Sequence, residues 1–314
     1  MANRRKRLAA CALTFIFCLL GGALRLSAQN SKSETIQQIG WEISTGNIRP
    51  ALADAREAVL EYPRSAILMH LLAVAQSKDG LNAEARKSFN KSIELDPTIP
   101  QNYYDLALLD MQAGDYNDAI QMLHSFLGVS PQNARAHLML GIAYRKQNND
   151  PLALRELKQA LTMSPNLPLA HYNLGRIYAS QHNYKAALSE YRKELGVNPE
   201  FYGVYCSAGD AELAVKHPDS AEALFRAGAK LSPLAYQAYL GLARVYVAKK
   251  QFSKAENELQ KVIVLAPGEI QAHSLLARVY NQLGKPLEAK REELVAETLK
   301  SQAKQAPATT SPSQ

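Results

Sequence analysis

Residues 134–165 read ARAHLMLGIAYRKQNNDPLALRELKQALTMSP. In the first part His137, Leu140, Gly141 and Tyr144 stand at i, i+3, i+4 and i+7, so they share one face of a helix. After a polar turn, Ala153, Leu157 and Ala160 stand at i, i+4 and i+7 on a second helix. Pro165 ends that helix, because proline has no N–H to donate and its ring clashes with the preceding turn. Neither helix can bury its apolar face alone, so the segment needs neighbours built to the same plan.

The sequence supplies them. Pro63, Pro97, Pro131, Pro165, Pro199, Pro233 and Pro267 are separated by 34 residues each. Ala51, Ala85, Ala119, Ala153, Ala187, Ala221, Ala255 and Ala289 repeat with the same step. A third register holds only small residues: Ala73, Ala107, Gly141, Gly175, Gly209, Ala243 and Ala277. Small residues there let two helix backbones approach closely. Pro151, Pro218 and Pro286 fall near the starts of second helices, where a missing N–H costs little.

With these offsets the repeat resembles the tetratricopeptide repeat. The resemblance is closest at Ala170-His171-Tyr172-Asn173-Leu174-Gly175-Arg176-Ile177-Tyr178, followed by Tyr184-Lys185-Ala186-Ala187-Leu188. It implies an all-α fold, a right-handed α-solenoid of antiparallel helix pairs. Eight repeats fit over residues 32–303, starting at 32, 66, 100, 134, 168, 202, 236 and 270. The first and last deviate as caps. Repeat one keeps Ala51, Ala55, Ala58 and Pro63 but has Gln38, Ile39 and Glu42 in place of Leu, Gly and Tyr. Repeat eight has Ser301 for the proline and Glu293 in a core slot, and its second helix is expected to run on toward Lys304. Ala208 and Glu212 in repeat six suggest a softening or bend there. Residues 304–314 read as a disordered tail.

The N-terminus reads as an address. Arg4-Arg5-Lys6-Arg7 precedes an uncharged apolar run from Leu8 to Leu24, then Arg25-Leu26-Ser27-Ala28-Gln29. This is the layout of a secretory signal peptide over residues 1–28, with cleavage expected after Ala28. The alternative is an uncleaved membrane anchor, at the short limit for a span of about 20 residues. Export makes the chain periplasmic or secreted. The net charge of +7 includes five basic residues from this segment, so +2 remains on the rest. A nearly balanced chain lacks the field that draws polyanions, and nucleic acid is not expected as a partner. Cys11 and Cys18 lie in the signal, leaving Cys206 with no intramolecular disulfide partner. Cys206 reads as a small packing residue.

No catalytic or phosphate-binding motif is present, so neither an enzyme nor a cofactor is expected. His137, His171 and His273 share one repeat slot and read as packing residues rather than metal ligands. Asn90-Lys91-Ser92 matches a glycosylation acceptor, but Ser92 takes an inward slot in mid-helix.

A partner fits better. Slots two, five, nine, twelve and thirteen of each first helix lie opposite its core face, and in the resembling family they line a concave groove. Carried over, they give Tyr104, Leu108 and Met111 from repeat three and Arg135, Leu138, Ile142, Arg145 and Lys146 from repeat four. Repeats five, seven and eight add Tyr172, Arg176, Leu240, Arg244 and Arg278. The resemblance implies a protein or peptide partner in that groove, and the arginines suit acidic residues or a free carboxylate. The family's carboxylate clamp, Lys at slot five with Asn at slot nine, is absent: these slots hold His70/Val74, Tyr104/Leu108 and Leu138/Ile142. The reading is a non-catalytic adaptor of the cell envelope. Its rival is a membrane-anchored structural subunit of an envelope secretion or polysaccharide-export assembly.

Overall fold

The structure is a computed structural model that describes residues 31–305. The expected signal peptide, residues 1–28, and the expected tail from 306 lie outside the described residues. Every described element is a helix, and no strand occurs among them. The contacts divide the chain into two compact units, residues 1–131 and 132–314. The N-terminal unit holds α1 (31–45), α2 (Ile48–Glu61), α3 (Ala66–Lys78), α4 (Asn82–Leu95), α5 (Pro100–Ala113) and α6 (Tyr116–Val129). The C-terminal unit holds α7 (Ala134–Lys146), α8 (Asp150–Met163), α9 (Ala170–Ser180), α10 (Tyr184–Val197) and α11 (Tyr202–Ala214). It continues with α12 (Pro218–Leu231), α13 (Tyr236–Ala248), α14 (Phe252–Leu265), α15 (Ile270–Gln282) and α16 (Pro286–Gln305). None of these helices is long and apolar enough to cross a membrane.

The period maps onto the helices directly. Each of the second helices α2 to α14 stops two residues before its proline, as α8 does at Met163 before Pro165. α16, with Ser301 in place of the proline, runs on to Gln305. The repeated alanines, Ala51 to Ala289, are all at most 1% exposed. Odd-numbered and even-numbered helices pair within a repeat, and each even helix also packs on the next odd one inside its unit. α11 keeps α10 on one side and α12 and α13 on the other, so repeat six is not a gap in the stack. Glu212, 9% exposed, is accommodated there by a bond from His217 Nδ1 at 3.0 Å.

Close approach is visible at the glycines. A Cβ added to Gly141 would meet Leu157 Cγ at 2.6 Å, and one on Gly209 would meet the Phe225 ring at 2.8 Å. The same Phe225 ring also blocks a Cβ at Gly241 of the next repeat. One ring therefore fills the space left by two glycines and ties two repeats together. Gly175 faces the Tyr191 ring, which is 1% exposed and has nowhere to move.

Two polar devices interrupt this apolar pattern. Leu169 has φ +72° at the N-terminus of α9, where its side chain cannot cap the helix. Glu194 of α10, fully buried, substitutes: its carboxylate accepts the N–H of Leu169 at 2.7 Å and of Tyr172 at 3.2 Å. Asp110 of α5 is 1% exposed beside Arg86 of α4. Burial pushes its carboxyl up to about 6, against the opposing pull of Arg86 and with help from Asp118 and Asp115.

Gly175→Ala gains helix propensity but drives a methyl into a fixed ring, so it is expected to destabilise by about 1–3 kcal/mol. Gly196→Ala in α10 has nothing within 4 Å and should stabilise by about 0.5–1 kcal/mol. Thermal unfolding of both variants checks the opposite signs. Asp110 binds its proton more tightly folded than unfolded, so its contribution is full below about pH 4 and is lost as pH rises toward 6. Allowing for screening around half-exposed Arg86, the loss is roughly 1–2 kcal/mol. Asp110→Asn should flatten the fall in melting temperature between pH 5 and pH 7.

Candidate functional site

Within the C-terminal unit the first helices touch one another in succession, α7 with α9, α9 with α11 and α11 with α13. They form its inner layer, and their slots away from the second helices face outward from it. The predicted groove residues separate into three groups on this surface. Arg135, Lys146, Arg176 and Arg278 are exposed, while Ile142, Arg145, Tyr172 and Arg244 are half-buried. Leu138 and Leu240 are only 7% and 8% exposed, which corrects their placement as groove residues. Because successive first helices are in contact, a leucine at slot five turns into the seam between them; Leu240 belongs to the same cluster as Leu276 and Phe225. In the N-terminal unit Tyr104, Leu108 and Met111 are half-buried on the first helix of repeat three, with the Tyr104 ring 5.5 Å from that of Phe126.

The arginines are not equivalent. Arg244 Nη1 donates to Asp210 Oδ1 at 2.7 Å, so an internal acid already answers it. Asp210 takes slot nine of repeat six, 34 residues before Arg244, and the alternation Arg176, Asp210, Arg244 was readable in that register. Arg176 lies 5.7 Å from the centre of the Tyr172 ring, and no ion pair to it is found among the described residues. Arg145 is the most constrained. Its Nε is buried without a hydrogen-bond partner. Burial first, and then the like charge of Arg176, pull its guanidinium below the ordinary arginine range. The two like charges oppose one another, while Asp150 pulls the other way on Arg145. Next to this pair, Arg176, Tyr184, Ser207, Asp210 and Arg244 line a recess of about 380 Å³. Arg278 lies apart, against Val247, Lys250 and Phe252.

Tyr172 is held in place from behind. Its ring meets that of Phe201 edge-on at 4.9 Å, and its N–H is fixed by Glu194. Cys206, half-buried on the same layer, has its thiol pushed up to about 12 by burial and by Asp210, so it is protonated and unreactive near neutral pH. His137, His171 and His273 each place Nδ1 against a glutamate 19 residues on, Glu156 at 2.7 Å, Glu190 at 2.7 Å and Glu292 at 2.6 Å. His171 and His273 also reach the carbonyls of Pro165 and Pro267, at 3.2 and 2.9 Å. Tyr205 and Tyr239 make the same bond to Pro199 and Pro233. The slot is an inter-repeat staple, open to tyrosine or histidine. Among the described residues no group of three metal-ligating side chains converges. Ser92 is fully buried and donates to the Ala66 carbonyl at 2.6 Å.

Models of the tetratricopeptide repeat match residues 66–99, 104–168, 143–200 and 212–291, which together cover more than half of the chain. Solved structures share the fold at low identity. The Cut9–Hcn1 hetero-tetramer of the APC/C matches with a TM-score of 0.66 and 21% identity over 77% of this chain. The chain spans about half, 48%, of that protein's length. A tetratricopeptide repeat protein from Parabacteroides merdae matches with a TM-score of 0.64 and 16% identity, covering 80% of this chain and 100% of its own. PilW, a type IV pilus biogenesis factor, matches with a TM-score of 0.60 and 20% identity, covering 66% and 95%. The chain belongs to the tetratricopeptide-repeat family, whose members are generally non-catalytic protein-interaction scaffolds.

Proposed function

We propose that the protein is an exported, envelope-side adaptor that holds an acidic segment of a protein partner against the inner layer of its C-terminal unit. The observation that carries this reading is the unanswered pair Arg145 and Arg176. A desolvated guanidinium with a like charge beside it is unfavourable unless an anion completes the site. A carboxylate approaching from solvent would meet the Arg145 and Arg176 guanidinium groups together, in the forked geometry that arginine offers. Tyr172 supplies a flat apolar flank for the peptide backbone. Asp210 competes for the neighbouring cation and keeps Arg244 from contributing fully. Export is supported by the basic start and apolar run of residues 4–24.

A labelled glutamate decapeptide, followed by fluorescence anisotropy, tests the site. Arg145→Ala with Arg176→Ala should weaken binding tenfold or more with little change in melting temperature, because no internal hydrogen bond or ion pair to either guanidinium is lost and only the contact of Arg176 with the Tyr172 ring is given up. Asp210→Ala frees Arg244 and should strengthen binding. Unchanged affinity in both variants would retire the arginine pair as the anion site. Mass spectrometry of the native protein checks export: a start at Gln29 is expected, whereas an intact N-terminus would favour the anchored structural subunit.

A further inference from the structure

Arg278 lies apart from the Arg145 and Arg176 pair, yet the structure joins them step by step. One slot holds Arg176, Asp210, Arg244 and Arg278 at 34-residue intervals. Arg176, Asp210 and Arg244 line a single recess. Val247, one helical turn after Arg244 on α13, lines a second hollow with Arg278 of α15. The inner layer of the C-terminal unit thus carries one track of side chains from Arg145 to Arg278.

Charge along this track falls into three parts. At one end stand Arg145 and Arg176, for which no ion pair is found among the described residues. In the middle Arg244 and Asp210 answer each other at 2.7 Å. At the far end the exposed Arg278 and Lys250 line a notch of about 410 Å³ with half-buried Val247 and Phe252 and buried Val279. No ion pair to Arg278 or Lys250 is found among the described residues either. Two free cations beside an apolar notch suit a carboxylate next to a large apolar side chain, one held by charge and the other by leaving water.

We infer that the partner segment is extended and bipartite, with one acidic residue for Arg145 and Arg176, a neutral stretch over the Arg244–Asp210 pair, and a second acidic residue beside a large apolar one for Arg278, Lys250 and their notch. This inference rests on the reading of Arg145 and Arg176 as an anion site, and adds a second anchor and a spacing. A carboxylate in the middle would meet Asp210 as well as Arg244, so a uniform acidic run is not the best match. Three repeat steps separate α9 from α15; at roughly 8–10 Å between packed helices, the anchors stand roughly 24–30 Å apart. An extended chain covers that span in about eight or nine residues, at about 3.3 Å each.

The probe is a labelled peptide, capped at both ends, with two glutamates separated by six serines or glycines and then a leucine. Binding to the full chain is followed by fluorescence anisotropy at low ionic strength, where exposed charges are least screened. The peptide should bind at least fivefold more tightly than a control in which serine replaces the leucine and the second glutamate. Arg278→Gln with Lys250→Asn should erase that gain and leave the control unaffected; asparagine is chosen because Lys250 has φ +58°. A spacer of two residues should erase it too, since tethering adds affinity only when the linker reaches both sites. Equal binding of peptide and control, with Arg145→Ala and Arg176→Ala still weakening both, would overturn the second anchor and leave the anion site standing. If that double variant changes nothing, both readings fall. A gain that survives the short spacer would also overturn the single bipartite segment.

Discussion

The structure depends on one steric match repeated along the inner repeats: a small residue on the first helix receives a bulky side chain from the second. Gly141 with Leu157, Gly175 with Tyr191 and Gly209 with Phe225 leave no room for a Cβ. The bulky partners are among the most buried side chains, at 0 to 1% exposure, and truncating such a residue typically costs about 3–5 kcal/mol for an aromatic. Phe225 shows how the match spreads between repeats, because its ring also occupies the space beside Gly241. A repeat thus lends part of its core to the next, and a terminal repeat must either be closed with charge, as at Glu293, or remain open, as at Trp41.

Much of this was legible in the sequence. The proline register located the ends of the second helices α2 to α14, and Pro151, Pro218 and Pro286 marked the starts of α8, α12 and α16. What stayed hidden has physical reasons. A residue in left-handed conformation closes every first helix at 34-residue steps, but only Gly46, Gly80, Gly114 and Gly284 announce it. Asn148, His182, Lys216 and Lys250 adopt the same φ because the flanking helices fix the turn, and composition does not reveal that. Leu138 and Leu240 were misplaced because a helical wheel describes one helix, whereas slot five is covered by the neighbouring first helix. Glu194 was invisible for a related reason: its two bonds go to backbone N–H groups 22 and 25 residues away.

The candidate site was half legible. The register of slots nine and twelve found Arg145, Arg176, Arg244 and Arg278, but charge signs along a sequence do not show which cations are already answered. Geometry separates Arg244, which Asp210 engages, from Arg145 and Arg176, for which no ion pair is found among the described residues. In a scaffold whose repeats are near-copies, the residues that lack the partner their counterparts have are the ones left to serve something else. The rigid helical pairs hold these exceptions in fixed positions, which is how a repeated fold comes to carry specific contacts.

The steric match is tested most directly by a double-mutant cycle on Gly141→Ala and Leu157→Ala, measured by chemical unfolding. Alone, Gly141→Ala should destabilise, because its methyl meets the Leu157 side chain; with Leu157 truncated, the same methyl enters vacated space and should become neutral or stabilising. A coupling of about 1 kcal/mol or more in that direction is predicted. Additivity within about 0.5 kcal/mol would mean that the two side chains do not share one space, and the packing described here would be wrong.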